Sequence, residues 1–340
     1  MRPSAPETAR LRPLIARGGA RFRCFGDGVC CTDAHRLGPI DPREAARLLP
    51  ASALVRDDRL GALVMRVDSG SCAQLGEEGC SLHARGGPMA KPSTCRRFPF
   101  ELVATPEGGR VVTMHRCPCR TMGERPEIDL AEAEDALRGP GGRLSASRRV
   151  STVRLRGRRS VSFARYRTIE QAMLARLAQG EPILDALGVA PLPELEGISY
   201  VDLAAHLMHP PEETDATRAI AAAGAMLAVL VGAAKSVKVA RFGARGFDRA
   251  QARASTIGSP DAMLRDFVAD AIWSLRWADA MDFERAREEL ATRVVIAEGL
   301  AKRWTRAGVR RDRAMAEAIA AVESMGVSAA WVWAVQRTSR

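Results

Sequence analysis

The sequence predicts an α+β fold in which a small, β-hairpin-rich cysteine domain precedes an all-helical domain. Two observations predict this division. All eight cysteines lie between Cys24 and Cys119, and the rest of the chain contains none. Glycine-containing turn signals, typical of hairpins, recur in the same stretch, whereas from residue 169 onward apolar residues recur at helical spacing.

The composition is that of a globular protein, with 340 residues, 46% hydrophobic and 27% charged. This length accommodates two ordinary domains. Residues 1–20 contain no apolar segment typical of a secretory signal, and the longest apolar run, 219–234, is short and rich in alanine. We therefore predict a buried helix there, no membrane partner, and a cytoplasmic protein. Thiols stay reduced in the cytoplasm, so eight cysteines favour metal ligation over disulfides.

The chain divides into four segments by its turn and charge patterns. The boundaries fall at a glycine- and arginine-rich stretch before Cys24, after the last cysteine, and before the first long helical pattern. We predict a flexible tail over 1–20, a cysteine-cluster metal-binding domain over 21–125, a connector of one helix and an arginine-rich hairpin over 126–168, and a helical domain over 169–340.

Within the cysteine domain, local signals predict short elements. Asp41 is an expected N-cap, with Glu44 reaching back from the third helical position. A strand is expected at 60–67, a hairpin over 72–82 that turns at 76–79, and a second hairpin over 100–115. Ser93 is the expected N-cap of a short helix that places Cys95 in its first turn, where the helix dipole favours the thiolate.

Beyond the cysteines, N-cap and periodicity signals predict helices. Asp129 is an expected N-cap, Thr168 with Gln171 has the pattern of a capping box, and Ser259 followed by proline marks another helix start. A basic hairpin is expected over 150–163. Further helical patterns cover 216–240, 283–306, 311–325 and 328–336.

The net charge of +11 is concentrated in one segment. Between Asp135 and Glu170 there is no acidic residue, whereas ten arginines occur from Arg138 to Arg167. Such a segment attracts phosphates or an acidic partner. Only Phe163 and Tyr166 are interleaved with it, so stacking on bases has little support. A solvated basic hairpin is favoured over a nucleic-acid site.

The spacing of the cysteines is compatible with more than one kind of metal site. Structural zinc needs four ligands near a tetrahedron, and iron–sulfur clusters use four thiolates at less regular spacings. Eight thiolates exceed one tetrahedral site, so two metal ions, or one cluster with spare ligands, are both open. If Cys30 and Cys31 lay in extended chain, their side chains would point in opposite directions. The candidate ligands are Cys24, Cys30, Cys31, Cys72, Cys80, Cys95, Cys117 and Cys119.

These motifs resemble those of the YkgJ-type cysteine-cluster proteins, which are described as zinc- or iron-chelating domains. The resemblance covers roughly residues 21–120. Asp27 stands where many members have a cysteine, and it could bind metal through oxygen. The motifs that carry the resemblance are Phe22-Arg23-Cys24, Cys30-Cys31, Cys72-Ala73-Gln74-Leu75, Cys80-Ser81-Leu82-His83 and Cys95-Arg96-Arg97-Phe98-Pro99-Phe100.

The family includes flagellin lysine N-methylases, so the resemblance implies a metal-binding protein that modifies a protein substrate, with S-adenosylmethionine as cofactor if it is methylase-like. No glycine-rich turn between a strand and a helix supports a Rossmann-type methyltransferase. The alternative is a non-enzymatic zinc module whose helical domain docks a protein or nucleic-acid partner. His83 and His115 are further candidate ligands, His35 a weaker one, and His206 and His209 are expected at a helix end.

Overall fold

A computed structural model gives the fold of the chain and has the α+β class that the sequence predicts. Among the residues that the structure describes, twelve short strands lie in the first half, and the second half is helical. The structure describes residues 8–24, 28–32, 35, 38–48, 50–58, 60–77, 79–122, 125–211, 213–235, 244–253 and 258–336.

The strands form one four-stranded sheet and four two-stranded ribbons among the described residues. They are β1 (Leu14–Ala16), β2 (Leu54–Asp57), β3 (Ala62–Met65), β4 (Val67–Asp68), β5 (Ser71–Cys72), β6 (Leu75–Gly76), β7 (Gly79–Cys80), β8 (Phe100–Thr105), β9 (Gly108–Thr113), β10 (Arg148–Arg149), β11 (Thr152–Arg156) and β12 (Arg159–Ser162).

Most helices lie in the second half of the chain, and three additional single 3-10 turns cover Val29–Cys31, Ala51–Ala53 and Pro88–Ala90. The α-helices are α1 (Pro42–Ala45), α2 (Ser81–Gly86), α3 (Ser93–Arg97), α4 (Pro118–Thr121), α5 (Leu130–Leu137), α6 (Phe163–Ala178), α7 (Ile183–Leu187), α8 (Tyr200–Met208), α9 (Asp215–Leu230), α10 (Ala244–Arg253), α11 (Pro260–Trp273), α12 (Phe283–Arg306), α13 (Arg311–Gly326) and α14 (Ala329–Gln336).

The four-stranded sheet has the order β1-β9-β8-β10. Its centre is the predicted hairpin, in which Phe100 pairs with Thr113 and Thr105 with Gly108. β1 and β10 flank this hairpin as parallel edge strands. All six residues of β9 are buried, which is the pattern of a strand covered on both faces.

The expected flexible tail is partly ordered. Leu14–Ala16 pairs with β9, and the Gly109 N–H donates to the Pro13 carbonyl at 2.8 Å. Glycine makes this approach possible, because a Cβ at Gly109 would lie 2.4 Å from the Leu11 carbonyl oxygen. The tail carries no strong strand pattern of its own, so its order comes from this tertiary contact. Residues 1–7 lie outside the described residues.

The sheet and the helices share one hydrophobic core. Val103 of β8 and Val112 of β9 belong to the same buried cluster as the inward faces of α9, α11, α12 and α13. The basic hairpin β11–β12 forms as expected, and its Val153 also enters this cluster. The predicted boundary at residue 168 therefore does not separate two independent cores.

The predicted helix starts have mixed outcomes. Asp41, Asp129 and Ser259 occupy N-cap positions, as expected. Thr168 does not, because α6 begins five residues earlier with Ser162 as its N-cap, accepting from the Arg165 N–H. Thr168 lies inside the helix, where its hydroxyl donates to the Ala164 carbonyl at 3.5 Å. His209 caps the end of α8, as expected.

Within the described part of the chain, no single helix combines the length and apolar character needed to cross a membrane. The pair Arg311–Gly326 and Ala329–Val335 reaches the length and composition of a span only when joined across a 67° bend.

Candidate metal centre and adjoining cavity

All eight cysteines are described, and none forms a disulfide. Five of them lie on short elements of the segment from Gly28 to Arg97, which we call the front module. Cys30 and Cys31 occupy a 3-10 turn, Cys72 ends β5, Cys80 ends β7, and Cys95 lies in α3. A bridge between Thr32 and Ser71 holds the double cysteine beside β5.

Four of these thiols lie within electrostatic range of one another. Burial raises the pKa of Cys95 to about 12, and the thiols of Cys72, Cys30 and Cys80 act in the same direction. Burial also raises the pKa of Cys72, and the nearby thiols of Cys80 and Cys30 raise it further. Five of the six pairs among these four sulfurs therefore interact.

The expectation that Cys95 favours its thiolate form is wrong for this structure. Its helix has only five residues, and burial of the sulfur outweighs the helix dipole and the adjacent arginines. A thiol with a raised pKa becomes a thiolate when a cation is close, because the cation stabilises the negative sulfur. Cys72 and Cys95, whose pKa values are raised, would therefore release protons on binding a metal ion.

Cys30 and Cys31 do not lie in extended chain. In their 3-10 turn the two Sγ atoms are 3.8 Å apart, so they share one side of the backbone. Two sulfurs bound to one tetrahedral zinc ion at about 2.3 Å are separated by about 3.8 Å. Both sulfurs can therefore face the same centre, contrary to the expectation for an extended pair.

The remaining cysteines occupy different surroundings. Cys117 and Cys119 are buried in a core cluster that includes Phe22, Phe100 and Leu137, and Cys119 lies in α4. Cys24 is exposed. The front-module thiols Cys72, Cys80 and Cys95 pack instead against a different cluster. The structure thus places the eight candidate ligands in at least two environments.

The other candidate ligands are dispersed. His35 is buried, neither ring nitrogen has a partner among the described residues, and burial lowers its pKa to about 3. His83 is exposed, and His115 Nε2 lies 2.9 Å from Asp270 Oδ2. Asp27 lies outside the described residues. Across the described ranges, no three histidine, cysteine, aspartate or glutamate side chains are grouped so that they could hold a metal ion as they stand.

One carboxylate braces the helix that carries Cys95. Glu44 does not complete a capping box; its two oxygens accept from the Ser93 N–H at 2.9 Å and the Ser93 hydroxyl at 2.8 Å. Ser93 is correspondingly the first residue of α3, and Pro92 occupies the N-cap position. This contact joins α1 to α3 across the front module.

The arginine-rich segment is partly neutralised by the fold. Arg167 pairs with Glu107 at 2.8 Å and with Glu170 at 2.6 Å. Arg148 donates to the Leu275 carbonyl at 3.0 Å. The tip of the hairpin remains open to solvent, since Arg158 and Arg159 are exposed. These contacts agree with a basic hairpin that packs at its base and is solvated at its tip.

A cavity of about 330 Å³ separates the sheet from α11, α12, α13 and α14. A second cavity of about 330 Å³ lies toward α3 and shares Glu101, Met114 and Arg116 with the first. None of the shared residues was predicted from the sequence as part of a site. Charged positions within apolar helical faces were the available signal, as at Asp270 in α11 and Glu323 in α13.

A buried ion network borders the first cavity. Asp270 accepts from Arg17 Nε at 2.7 Å and from Arg120 Nη2 at 2.7 Å, and both arginines also pair with Asp266. Arg120 and Arg17 overcome burial and hold the pKa of Asp270 well below its usual range. This network joins β1 and α4 to α11.

The geometry defines an α+β protein with a cysteine-rich front module and a charged cavity beside the sheet. No family model, curated protein or solved structure matches the chain.

Proposed function

We propose that the front module binds a thiophilic metal ion through Cys30, Cys72, Cys80 and Cys95, with Cys31 beside Cys30. The observation that carries this proposal is geometric: Cys72, Cys80 and Cys95 pack against one hydrophobic cluster, and the Thr32–Ser71 bridge holds Cys30 and Cys31 beside Cys72. They come from separate turns of the chain, and each is at least partly buried. Packing alone gives no reason for several interacting thiols in one small module, whereas a metal ion needs them.

The metal's proposed role is to stabilise the module. In the described part of the module, its hydrophobic cluster has five buried members, Ile40, Leu48, Ala53, Met65 and Leu82. Its ribbons have strands of two to four residues, too short to be stable in isolation. Small units with little apolar core commonly depend on metal or disulfides, and none of these cysteines is disulfide-bonded. Binding of zinc or iron would draw the thiolates together and supply the missing stabilisation.

The identity of the metal is tested by anaerobic purification followed by elemental analysis and a visible absorption spectrum. Zinc should give a colourless protein, and an iron–sulfur cluster should give broad visible absorbance with iron and sulfide. A preparation with neither metal, which also fails to bind either after reduction, contradicts the proposal.

Substitutions identify the ligands. Cys72→Ser and Cys95→Ser should each remove most of the metal. Leu82→Ala is the matched control, because it weakens the same hydrophobic cluster without removing a sulfur. Cys117→Ser tests the wider prediction that all eight cysteines bind metal. Unchanged metal content in both Cys72→Ser and Cys95→Ser would refute the assignment, as would equal loss in Leu82→Ala.

The lysine N-methylase activity that the family resemblance implies remains a prediction. Transfer of a labelled methyl group from S-adenosylmethionine to protein lysines measures it directly. Comparing the metal-loaded protein with its Cys95→Ser variant then distinguishes an enzyme that depends on the centre from a structural metal module.

A further inference from the structure

The cavity beside the sheet has an excess of cationic hydrogen-bond donors. Its lining contains five arginines and four carboxylates. Each of those carboxylates already accepts hydrogen bonds from the protein. The arginines, in contrast, retain donors that have no partner among the described residues, including Arg148 Nε and Arg276 Nη2. The carboxylates of the lining are therefore already hydrogen-bonded, whereas some arginine N–H groups are not.

One wall of the cavity concentrates this imbalance. Arg276 donates through Nε to Glu101 and through Nη1 to Glu323, each at 2.7 Å, while its Nη2 is buried without a partner. Arg276 overcomes burial and lowers the pKa of both glutamates, so both are ionised. The two glutamates thus provide two negative charges, and Arg276 offsets one of them.

Arg116 and Arg148 complete the wall, which makes three guanidinium groups for two glutamates. Burial lowers the pKa of both arginines, and the nearby charge of Arg276 acts in the same direction. A further carboxylate, Asp279, is 63% exposed and lies 3.9 Å from Arg148 Nε, beyond hydrogen-bond distance. The wall therefore holds three partly buried guanidinium groups beside two glutamates, and Arg148 is paired only weakly, with the exposed Asp279.

The rest of the lining is largely apolar and aromatic, and it includes Phe267, Trp277 and Trp331. A volume of about 330 Å³ is at the lower end of the range for small-molecule sites. Such a cavity suits a ligand with one polar end and an apolar body.

We propose that this cavity binds a small monocarboxylate, with its carboxylate at the wall formed by Arg148 and Arg276 and its apolar body against the aromatic side chains. A carboxylate supplies an acceptor for the unpartnered donors of Arg148 and Arg276, and its single charge balances the third guanidinium, which is paired only weakly with the exposed Asp279. A phosphate dianion would exceed that charge. The proposal is independent of the metal centre, because none of its residues belongs to the thiol cluster.

Three probes of the same shape test the charge requirement on the unaltered full-length protein: 3-phenylpropionate, 3-phenylpropan-1-ol and 3-phenylpropylamine. Binding is followed by calorimetry and by the fluorescence of the cavity tryptophans. The carboxylate should bind with a Kd of about 1 mM or below, at least about tenfold tighter than the alcohol. The amine should not bind measurably. Equal affinity for carboxylate and alcohol, tighter binding of the amine, or no binding of any probe would overturn the proposal.

Two variants locate the site. Arg148→Gln should weaken 3-phenylpropionate about tenfold and leave the alcohol unchanged, because it removes one cation and keeps both Arg276 ion pairs. Arg159→Gln is the control, since it removes the same charge from the exposed hairpin. Ala271→Leu should weaken both probes by filling the cavity from α11. If both Arg148→Gln and Ala271→Leu bind 3-phenylpropionate as tightly as the unaltered protein does, the ligand lies elsewhere and the inference is refuted.

Discussion

The ion pair between Arg110 and Glu170 is the most deeply buried charge pair on the sheet, and its loss should be costly. Both side chains are 0% exposed. Arg110 Nη1 and Nη2 bind the two oxygens of Glu170 at 2.7 and 3.0 Å, and Nη1 also donates to the Trp273 carbonyl at 3.1 Å. The guanidinium lies 4.0 Å from the centre of the Trp273 ring. A single side chain therefore joins β9, α6 and α11.

Replacing Arg110 by alanine leaves a buried carboxylate with one remaining partner, Arg167, at 2.6 Å. Removing one member of a buried pair lowers the free energy of unfolding by about 3–5 kcal/mol. Because Arg167 still pairs with Glu170, we expect a loss near the lower end, about 3 kcal/mol. The double variant Arg110→Met with Glu170→Leu should recover much of this stability, because neither residue then buries an unpaired charge.

Urea unfolding followed by circular dichroism measures both effects. Arg66→Ala is the matched control, because the Arg66–Asp68 pair is 42% and 57% exposed and its loss should cost less than about 1 kcal/mol. Similar losses for Arg110→Ala and Arg66→Ala would refute the reasoning, and so would a double variant less stable than the single one.

Three further predictions concern a buried base, a close backbone contact and a helix cap. Burial lowers the pKa of His35 from 6.5 to about 3, so the unfolded chain takes up a proton that the folded protein excludes. Stability is therefore complete above pH 6.5 and should fall by about 2 kcal/mol by pH 5, a loss that urea titrations of His35→Leu should not show. Gly109→Ala should cost about 1–3 kcal/mol in thermal unfolding, because the new Cβ meets the Leu11 carbonyl; an unchanged melting temperature would contradict this. Ser162→Ala should cost about 1 kcal/mol in urea unfolding by removing the cap on Arg165 N–H, whereas Ser162→Asp should cost little.

The sequence predicts local structure well where the signal is local. Asp41 and Asp129 mark helix starts because their side chains accept from N–H groups of the first turn, and Ser259 marks one because the proline after it suits the first helical position. The hairpin over 100–113 is confirmed, because a turn flanked by apolar runs specifies its own pairing. The helix predicted over 283–306 has the same bounds in the structure. Each of these signals requires only neighbouring residues.

Features that depend on distant residues were not predicted. The order of the tail depends on Gly109 and on the Arg17 ion pairs with α11, which lie far along the chain. The sequence directs attention to the cysteines because cysteine is rare and its chemistry is distinctive, and their role as metal ligands stays a prediction. The cavity could not be, because arginine and glutamate occur throughout the surface, and nothing in the sequence separates Arg276 from the many solvated arginines.

Residues 114–120 connect the thiol-rich half of the site with the cavity. Met114 and Arg116 line both cavities, Cys117 and Cys119 enter the core beside Phe100, and Arg120 joins the Asp270 network. These contacts order residues 114–120 without a metal ion. Packing as small apolar side chains is therefore sufficient to explain why cysteines occupy positions 117 and 119. The front-module thiols lie on elements with much less packing. The apolar core is smallest around Cys30, Cys72, Cys80 and Cys95. A bound metal ion would therefore stabilise the protein most at these four residues.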